Sequence, residues 1–228
     1  MNAVRTILAS AGLLMTVAGA NNAQALSISF SDTVPLTTTN WATNVSLAKF
    51  DTALGPLNSI LVEITGAISG NIRMESLDAA PAVIIGTLQA TQTLQKPGGG
   101  FLLNVIPQVV ENFGATAYDG VTDFGGTSGT AVLGLAGMAM SSASVALSDF
   151  GLFTCTGAGC ATPLSMALNA AGTSSATGAG NIISAFQTDA GATVKVTYDY
   201  GVTTPEPASM ALLGAGMLAL GFARRRRG

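Results

Sequence analysis

Apolar and polar positions alternate with a period of two through most of the middle of the chain. Ile60, Val62 and Ile64 alternate with Leu61, Glu63 and Thr65. Ile72 and Met74 alternate with Arg73 and Glu75, and Val194, Val196, Tyr198 and Tyr200 alternate with Lys195, Thr197 and Asp199. Ile28 and Phe30 share one face of residues 26–30, and residues 83–94 form a long Thr-rich run broken only by Gly86. This period puts one row of side chains in a core and the other in water, which places Glu63 and Glu75 on wet faces. Turn formers separate the runs: Gly55-Pro56, Gly66, Gly70-Asn71, residues 97–100, Gly125-Gly126 and residues 178–181. The pattern predicts an all-β body, an antiparallel β-sandwich of jelly-roll-like form. Residues 133–147 also admit a helix, which their Gly, Ser and Val content weakens. No fixed-period repeat is present.

Alternation fails at the two ends. Arg5 precedes an apolar stretch over residues 7–18, and Ala23-Gln24-Ala25 follows as a small-residue cleavage site. That order predicts a signal peptide over residues 1–25, cut after Ala25. At the other end, residues 208–223 carry no charge and are bounded by Arg224, Arg225, Arg226 and Arg227. Sixteen uncharged positions fall just short of the ~17 that a spanning helix needs. Long arginine side chains extend the effective span and hold their end on the cytoplasmic side. The expectation is a transmembrane helix over 208–223 in a tail of residues 202–228. The body then occupies residues 26–201.

Pro205-Glu206-Pro207-Ala208-Ser209, then Ala211-Leu212-Leu213-Gly214, then Ala223 and the four arginines, resemble a PEP-CTERM sorting signal in order and spacing. The resemblance implies a Gram-negative exporter that makes exopolysaccharide, and processing by an exosortase, a membrane enzyme of the cysteine transpeptidase type. Pro205, Glu206 and Pro207 are then the processing site and Arg224 to Arg227 the membrane stop. The two prolines favour an extended, helix-free segment beside the membrane. The body carries a second resemblance. Residues 30–36, Thr39-Asn40-Trp41, residues 47–57, residues 118–129, Gly180-Asn181 and residues 196–200 are similar in order to the choice-of-anchor E domain. That family implies placement at the cell surface and no defined chemistry.

Charge changes the choice of partner. The chain carries nine Lys/Arg and twelve Asp/Glu. Between residues 26 and 207 four Lys/Arg stand against twelve Asp/Glu, a net charge of −8. Nucleic acid is not expected as a partner, because phosphate contacts need Lys and Arg. The chain has no histidine, which excludes Ser-His-Asp and Cys-His nucleophiles and His-ligated zinc. No cofactor and no resident metal are expected.

The remaining candidates are few. Asp119 and Asp123, in a Gly-rich loop, are either turn residues, with Phe124 plugging the core, or oxygen ligands for calcium, at a spacing unlike an EF-hand. Thr156-Gly157-Ala158-Gly159 and Thr177-Gly178-Ala179-Gly180 lack the Gly-Lys-Ser/Thr that a phosphate loop needs. Cys155 and Cys160, in an exported chain, read as a disulfide closing a small loop. Glu63 with Glu75 is the one carboxylate pair considered for glycoside hydrolysis. Trp41 with Tyr118, Tyr198 and Tyr200 would form a stacking platform for sugars if exposed together. The reading is therefore a non-catalytic surface or matrix protein, with a carbohydrate-binding module for exopolysaccharide as the alternative. Its partners are the secretion translocon, signal peptidase and an exosortase-like enzyme.

Overall fold

The alternating runs become strands in the computed structural model, which describes residues 25–201, 214–218 and 225. In chain order they are β1 (Ala25–Thr38), β2 (Trp41–Leu47), β3 (Phe50–Asp51), β4 (Leu57–Ser76), β5 (Ala82–Gln95), β6 (Phe101–Val105), β7 (Gln108–Ala115) and β8 (Gly129–Ser144). A one-turn helix, α1 (Phe150–Phe153), precedes β9 (Thr154–Cys155), β10 (Leu164–Gly172), β11 (Ser175–Thr177) and β12 (Ile182–Gly201). The expectation of an all-β antiparallel body holds. One sheet has the order β1-β12-β4-β8; the other runs β11-β5-β10-β2, with β6 and β7 also on β5. β6 and β7 pair with consecutive parts of β5, as do β10 and β11. Each pair therefore acts as one interrupted strand. Counting each such pair once and setting aside the two-residue β3 and β9 leaves eight strands; renumbered one to eight in chain order, they run 1-8-3-6 and 2-7-4-5, the arrangement of a jelly roll. The helical alternative for residues 133–147 gives way to β8, registered against β4 from Leu61↔Ser144 to Glu75↔Gly129. Its small inward residues have a reason: a Cβ on Gly137 would lie 2.9 Å from Val109 Cγ2. Small residues let β7 close over that edge.

The sequence pattern underestimates β1. Residues 26–30 were the expected strand, but pairing with β12 continues to Thr38↔Asp189. A register shift between Val34 and Thr37 absorbs Pro35, which has no N–H to give to a ladder. Ile28 and Phe30 do turn toward the core together.

The inner faces of the two sheets meet in two apolar clusters. One gathers Val45, Phe50, Ile60, Val62, Ile64, Leu94, Met166, Val194, Val196 and Tyr198, among others. The other gathers Ile68, Ile72, Met74, Ile84, Leu88 and Ala190. Between them the inward row of β4 has Gly66, and Gln92 of the facing sheet fills the space a side chain would take. Gln92 is fully buried, and its Nε2 donates to the carbonyls of Ala67 and Gly191 at 3.1 and 3.2 Å. One side chain thus ties both central strands of the opposite sheet.

Tyr198 is the largest fully buried side chain, and its hydroxyl donates to the Ala48 carbonyl at 3.0 Å. Burial holds its phenol above the ordinary tyrosine range, because the phenolate would lose its hydration. The predicted bond between Cys155 and Cys160 is present, beside the short parallel β3–β9 contact.

Two outcomes follow. Because the folded Tyr198 pKa lies above its unfolded value near 10, the stability it contributes is complete below pH ~10 and declines above it. Tyr198→Phe should cost about 1 kcal/mol at neutral pH through the orphaned Ala48 carbonyl. It should also flatten the alkaline decline, as read by urea denaturation between pH 7 and 11. Reducing the Cys155–Cys160 bond, which closes a loop of separation 5, should cost no more than about 2 kcal/mol in the same assay.

Candidate functional site

At one end of the sandwich the chain builds a pole of loops around two carboxylates. Glu75, near the end of β4, is fully buried, which corrects the wet-face expectation. The reason is the loop over residues 116–128, which folds across it. Glu75 Oε2 accepts the Phe124 amide at 2.7 Å, and the Ser128 hydroxyl lies 3.4 Å from its Oε1. Phe124 has a positive φ of 57° and is half-buried outside both core clusters, so its backbone rather than its ring holds the loop. Asp78 ties in the neighbouring loop by accepting the Gly180 amide at 2.7 Å. Asp119 accepts the Val121 amide and Asp123 the Gly125 amide, so both carboxylates close local turns. Among the described residues no group of three or more His, Cys, Asp or Glu is arranged to hold a metal.

A second feature lies where β1 leaves its sheet. β12 continues past the last β1 partner, Asp189, to Ile182, so residues 182–188 have no β1 neighbour. The chain crosses to β2 through Thr39 and Asn40, pinned by the Thr39 amide and hydroxyl on the Thr188 carbonyl, both at 3.0 Å. A cleft of about 310 Å³ opens there, lined by Thr39, Asn40, Ser174, Phe186, Gln187 and Thr188 among others. A smaller one of about 230 Å³ is also lined by Phe186 and Gln187, with Asn71, Arg73 and Ala185.

The expected site residues are scattered. Trp41 is half-buried, and its indole N–H donates to the Ala190 carbonyl at 3.1 Å. Tyr198 and Tyr200 are buried beside Phe50, and Tyr118 lies in the distant loop with its hydroxyl on Thr122 at 2.8 Å. No shared platform of these rings exists: the two core tyrosines are inward on β12 because the period of two puts them there. Glu63 faces outward in an ion pair with Lys195 at 3.0 Å. It stands twelve positions from Glu75 on one strand, or about 40 Å, so the two carboxylates never share a cleft. The first glycine-rich loop runs into a 3-10 turn, Gly157–Ala161, and the second into β12. The cleft at Thr39–Asn40 was missed, because its lining comes from three separate segments, of which only Thr39-Asn40 stood in a quoted motif, and that motif implied no ligand.

The sorting residues Pro205, Glu206 and Pro207, the cleavage-site residue Ala23, and Arg224, Arg226 and Arg227 lie outside the described residues. Ala25 begins β1 opposite Gly201, and Arg225 is exposed. Within the expected transmembrane segment, residues 214–218 are helical, and the rest lies outside the described residues. Among the described residues no helix is long and apolar enough to cross a membrane.

Comparison with known proteins bears on the tail. Structures of the infectious bursal disease virus Gx strain and of a VP2 subviral particle from that virus align at 13% and 10% identity, with TM-scores of 0.21 and 0.18. Each alignment covers 79% of this chain but 37% and 38% of those chains. Likeness this slight carries no argument. No curated protein matches. Residues 203–227 match the PEP-CTERM protein-sorting motif, which indicates exosortase-type sorting to the cell surface.

Glu75→Ala would leave the Phe124 amide without its acceptor. It should cost about 1–3 kcal/mol in urea denaturation, and amide exchange should accelerate over residues 116–128.

Proposed function

We propose that this chain is an exported, non-catalytic surface or matrix protein whose β-sandwich body is delivered by its tail to an exosortase-type membrane enzyme. The observation that carries this reading is the sorting-motif match at residues 203–227, joined directly to a compact unit spanning Ala25–Val202. The signal peptide, used through the translocon and signal peptidase, supplies export. The apolar stretch 208–223 and the arginines after it hold the chain in the inner membrane, because four guanidinium groups cross a bilayer only at great cost. Pro205 and Pro207 disfavour helix in the sequence just before that stretch, which suits a substrate of a cutting enzyme. The choice-of-anchor E resemblance fits such a body, since it implies a surface domain carried on an exchangeable tail.

A second reading, a carbohydrate-binding module for exopolysaccharide, is favoured by the cleft beside Thr39 and Asn40. Hydroxyls and amides line it, and a half-buried aromatic ring, Phe186, stands in its wall. Such sites bind polyhydroxyl ligands through a few directed polar groups on an otherwise formed surface.

The sorting reading is tested in the cells that export the protein. Glu206→Ala and Pro207→Ala variants should accumulate in the inner membrane with the tail attached. Mass spectrometry of the mature C-terminus checks this, and variants that mature like wild type overturn the reading.

A further inference from the structure

The edge of a sheet presents N–H and C=O groups that another strand can take, and folded proteins block such edges with charge, proline, shortness or a bulge. The two sheets of the sandwich have four edges between them, and three are blocked. β1 carries Asp32 and Pro35, and the Asp32 carboxylate accepts the Ser46 amide of β2, an edge of the other sheet, at 2.8 Å. β6 and β7 are five and eight residues long, Pro107 stands between them, and β7 carries Glu111. β8 is the fourth edge. It is sixteen residues long and holds neither a proline nor a charge. Its irregularity lies near its start: register against β4 shifts between Gly70 and Ile72, where Gly134 has a φ of 69° and donates its amide to Asn71 Oδ1 at 2.9 Å. Beyond that point Leu135 to Ser144 run in unbroken register against Gly70 to Leu61.

Among the described residues β8 is paired with β4 alone, and residues 135–144 make no backbone hydrogen bond outside that ladder. Alternate N–H and C=O groups along this stretch therefore face away from β4 without a protein partner. β7 lies beneath the inner face, next to Gly137, and takes none of them. On the outer face Met138 and Met140 are 74% and 73% exposed, opposite Ala67 and Thr65 of β4.

Charge and register select a second copy of this chain as the occupant. Four Lys/Arg against twelve Asp/Glu between residues 26 and 207 make two copies repel over most of their surface. Residues 135–144 are uncharged, and the one charge on the β4 stretch beside them, Glu63 opposite Ser142, is already paired with Lys195 at 3.0 Å. A two-fold interface makes each contact twice, with the two residues exchanged. An antiparallel pair centred on Ala139 sets Met138 opposite the partner's Met140 and Met140 opposite the partner's Met138. Four thioether side chains then close one apolar patch. Ser142 meets the partner's Ala136 in the same register, and no like charges are opposed.

We infer that residues 135–144 of β8 pair antiparallel with the same residues of a second copy, about a two-fold axis at Ala139. Two four-stranded sheets become one sheet of eight strands. The inference goes beyond the sorting reading, and neither depends on the other.

The test uses the full-length protein in neutral detergent, with its oligomeric state read by sedimentation velocity. The expected result is a dimer whose affinity falls at least tenfold in Met138→Lys with Met140→Lys, because four introduced ammonium groups meet across the axis. Met138→Lys with Met140→Glu should restore the dimer, since each introduced lysine then lies opposite an introduced glutamate of the other copy. Both positions are exposed, so far-UV circular dichroism should match wild type in each variant. A monomeric wild-type chain overturns the inference. A dimer that survives the double-lysine change does so too, because its contact lies elsewhere. A mixed-charge variant as weakly associated as the double-lysine one overturns the antiparallel register.

Discussion

The ladder between β4 and β12 is the constraint on which the other strands depend. Both strands are twenty residues long, and they pair from Ile182↔Ser76 to Tyr200↔Leu57. Their inward rows supply members of both apolar clusters, so one pair of strands spans the length of the core. β1 and β8 add to the outer edges of this pair, and the second sheet lies across its inner face. Gln92 fastens the second sheet to it through the Ala67 and Gly191 carbonyls, at the point where Gly66 leaves no side chain to pack. A buried amide fixes the register of two sheets more tightly than an apolar contact, because a sliding motion would strand its donors in a nonpolar space.

The sequence was most legible where one face of a strand is wet and the other is dry. Ile60 to Ile64 and Val194 to Tyr200 are buried at the positions that alternation requires. It was least legible where another segment covers a face that alternation assigns to water. Glu75 is such a residue: its row is outward, and a loop some forty residues later in the chain closes over it. β8 was ambiguous for a different reason. Its inward positions are small to admit a neighbouring strand, and small residues carry little periodic signal. The aromatic residues misled because ring type says nothing about direction; Tyr198 and Tyr200 follow the parity of β12 into the core. The sorting tail was readable because its chemistry is contiguous, while the Asn40–Phe186 groove joins residues nearly 150 positions apart and leaves no local trace.

Polar chemistry in this body is mostly spent internally. Asp119, Asp123 and Asp78 close turns, Glu63 and Asp149 pair with lysines, and Glu75 holds a loop amide. An acidic body whose carboxylates are occupied this way gains solubility from its charge without presenting a concentrated anionic site.

Ala25 and Gly201, the first and last described residues of the body, are direct partners across the β1–β12 ladder. The two ends of the body therefore meet at one pole of the sandwich. From that pole β12 runs paired with β4 for about fifteen residues to Phe186, roughly 45–50 Å at the rise of an extended strand. The cleft beside Phe186 is thus set far along β12 from the pole at which the body begins and ends.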